Sequence, residues 1–139
     1  MIVLDTNVVS AMMRDVFDPV LVPMLDKRDP ESIWTTSITL FEIRLGIERL
    51  IVSRRRNELE HAFRRAFEQT FQNRLLTFDA DAAYSAAILS SNRQRRGQPV
   101  DFRDTMIAGI VLSRRAELAT RNVRHFADLG VPVIDPWST

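Results

Sequence analysis

The chain has no cysteine, one lysine, one tyrosine, two histidines and four glycines among its 139 residues. Without cysteine there is no disulfide framework and no thiolate metal site. That composition suits the cytoplasm. The histidines, His61 and His125, stand far apart and form no zinc-type cluster. They do not suggest an acid/base pair either, so both are assigned structural or surface roles. The lone lysine, Lys27, is misplaced for the late active-site lysine of a response-regulator receiver. No glycine-rich turn follows the first apolar run, which excludes a dinucleotide-binding Rossmann site. No apolar stretch approaches the length of a membrane span. The N-terminus enters a strand pattern directly, without the basic region of a signal peptide. A cytoplasmic protein with no membrane association is therefore expected.

Charge of one sign is also missing. Nineteen basic residues face eighteen acidic ones, for a net charge of +1, which does not describe a generic polyanion binder. Eighteen of the nineteen bases are arginine. The planar arginine fork suits phosphate, although codon bias in a GC-rich genome accounts for most of such an excess.

What is present reads as one domain over residues 1–139, long enough for a sizeable core. Short apolar runs at Ile2–Leu4, Ile33–Thr36, Leu75–Phe78, Leu118–Thr120 and Val133–Ile134 read as five strands. Helical patterns lie between them. One follows Asn7 through Met12, and a short one starts at Asp18-Pro19 and is interrupted by Pro23. Ser37 caps a helix to Ile51, Ser53 caps one with Leu59, Ala62, Phe63, Ala66, Phe67 and Phe71 at helical spacing, and Asp79 caps another. Gly97-Gln98-Pro99 breaks the chain before a helix over residues 103–115. Residues 122–129 form a short helical turn. Strands alternating with helices define an α/β fold with a parallel sheet covered on both faces.

Polar residues gather at one predicted edge of that sheet. Asp5 closes the first strand, where a carboxylate requires a cation, a metal ion or a helix cap to offset its desolvation. Glu42 lies early in the helix after the second strand, on a stripe with Ile38, Phe41 and Leu45. Asp104 opens the helix after the Gly-Pro break, on a stripe with Ile107, Ala108 and Val111. Asn122 follows the fourth strand. In an open parallel sheet, function collects outside the carboxyl ends of the strands, so all four residues can meet there. Converging carboxylates repel one another, and a divalent cation relieves that repulsion. Oxygen ligands alone point to Mg²⁺, with Mn²⁺ as the substitute. Such ions serve phosphodiester cleavage. Separately, Asp5 reads as a helix cap, Glu42 as a partner of Arg49, and Asp104 as an ordinary first-turn acid.

Four segments in order, Ile2-Val3-Leu4-Asp5-Thr6-Asn7-Val8, Thr36-Ser37-Ile38-Thr39-Leu40-Phe41-Glu42-Ile43-Arg44-Leu45-Gly46, Asp104-Thr105-Met106-Ile107-Ala108-Gly109 and Thr120-Arg121-Asn122-Val123-Arg124-His125-Phe126, carry a resemblance. With the Pro136-Trp137 ending they span essentially the whole chain. The chain resembles the PIN-domain ribonuclease toxins of type II toxin–antitoxin pairs, the VapC family, and within it the FitB-like group. The resemblance implies a three-layer α/β/α sandwich around a mostly parallel, twisted sheet. It implies a metal-dependent endoribonuclease with Asp5, Glu42 and Asp104 as acidic metal ligands. Asn122 stands where many PIN nucleases carry a further aspartate, which implies one tightly held Mg²⁺ and any second ion arriving with substrate.

Thr6, Ser37 and Thr120 are candidate hydroxyls around the carboxylates, and Ser37 is equally a plain helix cap. Arg121 and Arg124 are candidates for holding RNA phosphate. Gly46 reads as a close-packing position. Arg54–Arg56 and Arg93, Arg95 and Arg96 read as solvated charge, the latter group complementing a helix dipole. The resemblance further implies a VapB-like antitoxin lying across the toxin, a homodimer, and contact with DNA only through the antitoxin. The helices at 38–51 and 53–72 would clamp an antitoxin helix. A competing reading is a weakly catalytic PIN-like binding module acting within an antitoxin complex on DNA. A haloacid-dehalogenase-like phosphatase fits less well, because it requires an aspartate where this chain has Asn7.

Overall fold

The computed structural model describes residues 1–14, 18–99 and 101–138. Strands β1 (Ile2–Leu4), β2 (Ile33–Thr36), β3 (Leu75–Leu76), β4 (Glu117–Ala119) and β5 (Val133–Ile134) form one sheet in the order β3-β2-β1-β4-β5. Every neighbouring pair is parallel. The helices are α1 (Thr6–Met12), α2 (Leu21–Asp26), α3 (Ser37–Glu48), α4 (Arg54–Arg64), α5 (Ala80–Arg95) and α6 (Phe102–Arg114), with short 3₁₀ turns at Pro30–Ser32 and Val123–Phe126.

The central strand shows why the sheet is covered on both faces. Successive side chains of a strand point to opposite sides. Val3 joins a cluster with Leu89, Ile107, Ile110, Val111 and Phe126, beneath α5 and α6. Ile2 and Leu4 join a second cluster with Val8, Val9, Leu21 and Phe71, beneath α1 and α2. All three residues of β1 are fully buried, and burying each such aliphatic side chain contributes about 1.5–3 kcal/mol. The result is three layers, α/β/α.

Local chemistry shifts several boundaries from the sequence reading. Thr36, not Ser37, caps α3, its hydroxyl accepting from Thr39 N at 3.1 Å. Ser37 is the first helical residue, and α3 ends at Glu48 rather than Ile51. Asp18 accepts from Val20 N and Leu21 N, both at 2.9 Å. It closes a turn, and α2 starts only at Leu21, with Pro23 tolerated in the first turn. Ser53 and Asp79 cap α4 and α5 as expected. Beyond Arg64 the helix continues as a π-turn over Arg65–Thr70, keeping Ala66 and Phe71 in the core.

The close-packing glycine is Gly109, not Gly46. A Cβ at Gly46 would meet nothing within 4 Å, whereas one at Gly109 would stand 2.4 Å from the Ala82 carbonyl oxygen and 2.7 Å from Ala86 Cβ. That glycine lets α5 and α6 lie in direct contact. On α5 the core face is Ala82, Ala86 and Leu89, while Ala83 and Ala87 are exposed.

Candidate functional site

Parallel register brings the strand ends together. Leu4 is level with Ala119, and Asp5 N donates to Ala119 O at 2.9 Å. Asp5 and Thr120 are therefore side by side at the carboxyl edge. On the other flank Thr35 Oγ1 donates to Leu4 O at 2.9 Å, setting the end of β2 beside the same point.

Asp5 lies at the bottom of the site, 3% exposed. Its Oδ1 accepts from Thr6 N at 2.8 Å, so Asp5 caps α1 as well as facing the edge. Its Oδ2 accepts from Thr120 Oγ1 at 2.7 Å and from Asn7 Nδ2 at 3.4 Å. Burial pushes the Asp5 carboxyl above its usual range. The Thr120 and Thr6 donors oppose that rise, and the charge of Asp104 adds to it.

Glu42 is half-buried, and its Oε1 accepts from Thr6 Oγ1 at 3.3 Å. Thr6 Oγ1 also lies 3.0 Å from Thr39 Oγ1. Arg103 Nη1 stands 3.9 Å from Glu42 Oε2. Desolvation raises the Glu42 carboxyl, Arg103 lowers it, and Asp5 and Asp104 both raise it. Among the described residues Glu42 faces Arg103 and not Arg49. Arg44 instead binds Glu48 and Glu60. The stripe expected for Glu42 is also displaced, because Phe41 is 56% exposed and the buried positions of α3 are Thr39 and Ile47.

Asp104 enters from the first turn of α6, where Asp101 caps the helix and accepts from Asp104 N at 3.2 Å. Its carboxylate is partly exposed. Asp5, Glu42 and Asp104 thus feel one another's charge at one edge. Thr6 and Thr120 touch these carboxylates directly. Ser37 has no such contact among the bonds of the described residues. Asn122 is exposed, and its backbone N–H donates to Thr120 Oγ1 at 3.0 Å. Arg121 N donates to Asn7 Oδ1 at 3.1 Å, and its guanidinium lies 3.8 Å from the centre of the Trp137 ring.

Three residues escaped the sequence reading. His125, given a surface or structural role, has Nδ1 at 3.1 Å from Asp104 Oδ2. A carboxylate only accepts, so Nδ1–H is the donor. Arg103 faces Glu42. Arg93, expected in solvent, is 5% exposed and ion-paired. The only signal for His125 was its place just after β4, at the edge where the acids collect.

Among the described residues, no three acid or histidine side chains are drawn together tightly enough to make a ready metal cage. The donor set is carboxylate and hydroxyl oxygen throughout, and the buried Asp5 carboxylate faces no cationic side chain within ion-pairing distance among the described residues. Those features fit a hard divalent cation.

Beside the acids a groove of about 420 Å³ runs between α1, α3 and α4. Met13, Ile43, Ile47 and Leu59 form its apolar side, and Arg14, Arg49, Arg55 and Arg103 bring positive charge. No helix of the described residues is long and apolar enough to cross a membrane.

A parallel α/β/α sheet with acids at its carboxyl edge defines the class, and residues 2–131 match the PIN domain family. The chain belongs to that family. It is similar to the VapC ribonuclease Y4jK of Sinorhizobium fredii, 29% identical over 99% of this chain and 98% of the relative. It is 31% identical to Toxin FitB of Neisseria gonorrhoeae over 99% of both chains. Among solved structures it resembles FitAB bound to an IR36 DNA fragment, with a TM-score of 0.89 and 30% identity, covering 100% of this chain and 97% of the other.

Proposed function

We propose that this chain is a Mg²⁺-dependent endoribonuclease, the toxin of a VapC/FitB-like toxin–antitoxin pair, cleaving RNA phosphodiester bonds and held inactive by a cognate VapB-like antitoxin. The observation that carries the reading is the buried Asp5 carboxylate meeting the charges of Glu42 and Asp104 at the sheet edge. The ribonuclease and toxin names of the relatives support it. A cytoplasmic homodimer, built of one PIN domain over residues 1–139, belongs to the same proposal.

Asp5, Asp104 and Glu42 would hold the cation. Mg²⁺, or Mn²⁺ in its place, would activate a water and offset the charge that develops on the scissile phosphate. The chain's own residues do the rest. Thr120 and the Thr6 amide hold the Asp5 carboxylate in one orientation. Thr6 Oγ1 does the same for Glu42. Arg121, whose guanidinium sits over the Trp137 ring, would offer its N–H groups to phosphate. Asn122 is exposed, its backbone N–H bonded to Thr120 Oγ1, and would offer a neutral amide at the rim.

The antitoxin's seat is the groove between α1, α3 and α4. Its apolar floor suits one face of a helix, and its four arginines suit acidic residues on that helix's flanks. DNA would be reached through the antitoxin; the similar FitAB is itself solved bound to an IR36 DNA fragment.

A second reading, a weakly catalytic module acting within an antitoxin complex, is favoured by the loose spacing of the acids. The deciding experiment is to induce the chain alone and map the new RNA 5′ and 3′ ends, with Asp5→Asn as the control. Discrete new ends that vanish with Asp5→Asn support the nuclease. An unchanged RNA profile together with full antitoxin and DNA binding supports the module.

A further inference from the structure

Helix α5 contributes no side chain to the acidic edge, yet it makes a contact with each of the segments that carry Asp104 and His125. The first is Gly109, which seats α6 directly on Ala82 and Ala86, and α6 carries Asp104 in its first turn. The second is Arg93, near the last turn of α5. Its Nε donates to Asp128 Oδ2 at 2.9 Å, and its Nη2 donates to Asp128 Oδ1 at 2.8 Å and to the His125 carbonyl at 2.6 Å. Arg96 adds a bond to Asp128 Oδ2 at 2.8 Å. A buried arginine with its fork filled by one carboxylate and one carbonyl is a rigid clasp. It fastens the segment after β4 to α5. Asp104 and His125 belong to segments far apart in sequence, which pack together through Phe126 and Ile107 in the core, and both are also fastened to the same helix.

We propose that Arg93 is a positioning residue for the Asp104 side of the centre: by clasping His125 and Asp128 it holds the His125 ring where Nδ1–H donates to Asp104 Oδ2. That bond fixes one oxygen of the carboxylate and leaves the other for the cation. Outer hydrogen bonds of this kind change activity by about 10- to 100-fold when removed. The cleft of about 360 Å³ beside the pair is lined by Arg93, Gln98, Asp104, Arg124 and His125, so a misplaced turn also reshapes the surface next to the acids.

The activity arm of the test rests on the nuclease reading, and the spectroscopic arm does not. Arg93→Met, Asp128→Asn and His125→Ala are made singly, and the first two are also combined with His125→Ala. RNA cleavage in Mg²⁺ is measured as kcat and KM, and the ring resonances of His125 are followed by NMR with His61→Gln to remove the other histidine. Arg93→Met is expected to lower kcat by about 10- to 100-fold with KM little changed. In the His125→Ala background the same change is expected to cost no more than about twofold further. The His125 ring resonances should move in Arg93→Met toward their positions in Asp104→Asn.

Losses that multiply in the double variant overturn the proposal, because Arg93 then acts by some route other than His125. Unmoved His125 resonances overturn it as well. If Arg93→Met does not fold, Asp128→Asn carries the same comparison from the exposed end of the clasp. If the unaltered chain cleaves no RNA, the nuclease reading fails, and the resonances alone decide the role of Arg93.

Discussion

Replacing Thr120 by valine removes a hydroxyl while keeping the shape of a fully buried side chain. The hydroxyl makes two bonds, donating to Asp5 Oδ2 at 2.7 Å and accepting from Asn122 N at 3.0 Å. Asn122 is exposed, so water replaces the second bond at little cost. The first is a short, charge-assisted bond in the interior, and its loss costs about 1.5–3 kcal/mol when Asp5 is ionised. Protonation of Asp5 limits that cost. Burial already holds the folded carboxyl above its unfolded value, and Thr120 is the largest force opposing the rise. The folded state therefore binds more protons than the unfolded state between those two values, and stability falls as pH rises through that window. In Thr120→Val the window extends further upward, so the fall is larger. Urea denaturation of the metal-free protein at several pH values measures it. The expected gap between wild type and Thr120→Val is about 1.5–3 kcal/mol at about pH 8, shrinking toward the ~1 kcal/mol of a neutral hydrogen bond at about pH 4. A gap of constant size, or none, refutes the reasoning.

Asp5→Asn should raise the metal-free stability above the same pH window, because it deletes a desolvated charge, and should leave it unchanged below. Mg²⁺ should then stabilise the wild type, by about 2.7 kcal/mol at a hundredfold excess over Kd, and not the variant; thermal unfolding with and without Mg²⁺ reads both effects. Gly109→Ala should destabilise the fold by about 1–3 kcal/mol, since the new Cβ meets backbone at 2.4 Å and α6 has to shift. Chemical denaturation checks it, and a cost under about 0.5 kcal/mol would show that the helices separate freely. Leu50→Glu, on the rim of the apolar groove, should weaken antitoxin binding by about tenfold or more, or ~1.4 kcal/mol, with RNA cleavage retained. Calorimetry with the purified antitoxin decides that point.

The acidic edge was legible because its signals are local. An aliphatic triplet ending in aspartate reads as a strand with a site at its end, and parallel topology places the remaining acids without further information. The five strands follow from the same apolar runs, and Ser53 and Asp79 cap their helices through backbone bonds to near neighbours. What stayed hidden depends on contacts between distant segments. Arg93 belongs to a run of arginines at a helix end and looks solvated until Asp128, far along the chain, is brought against it. His125 meets Asp104 because the turn after β4 packs against α6 through Phe126 and is clasped to α5 by Arg93. Gly46 and Gly109 both occur in helical runs, and only the packing of α5 on α6 shows which one needs to lack a side chain. Thr36 and Ser37 are adjacent capping residues. The choice falls to Thr36 because the last residue of β2 retains extended geometry, while Ser37 is already helical.

The central claim is that Asp5, Glu42 and Asp104 hold a cation that cuts RNA. Single-turnover cleavage of a structured RNA, measured against Mg²⁺ concentration for the wild type, Asp5→Asn and Asp104→Asn, tests it most directly. The account predicts saturable Mg²⁺-dependent cleavage by the wild type, abolished by EDTA, and none above background in either variant, with both variants folded by circular dichroism. Cleavage that persists in EDTA, or at wild-type rate in both variants, would contradict it.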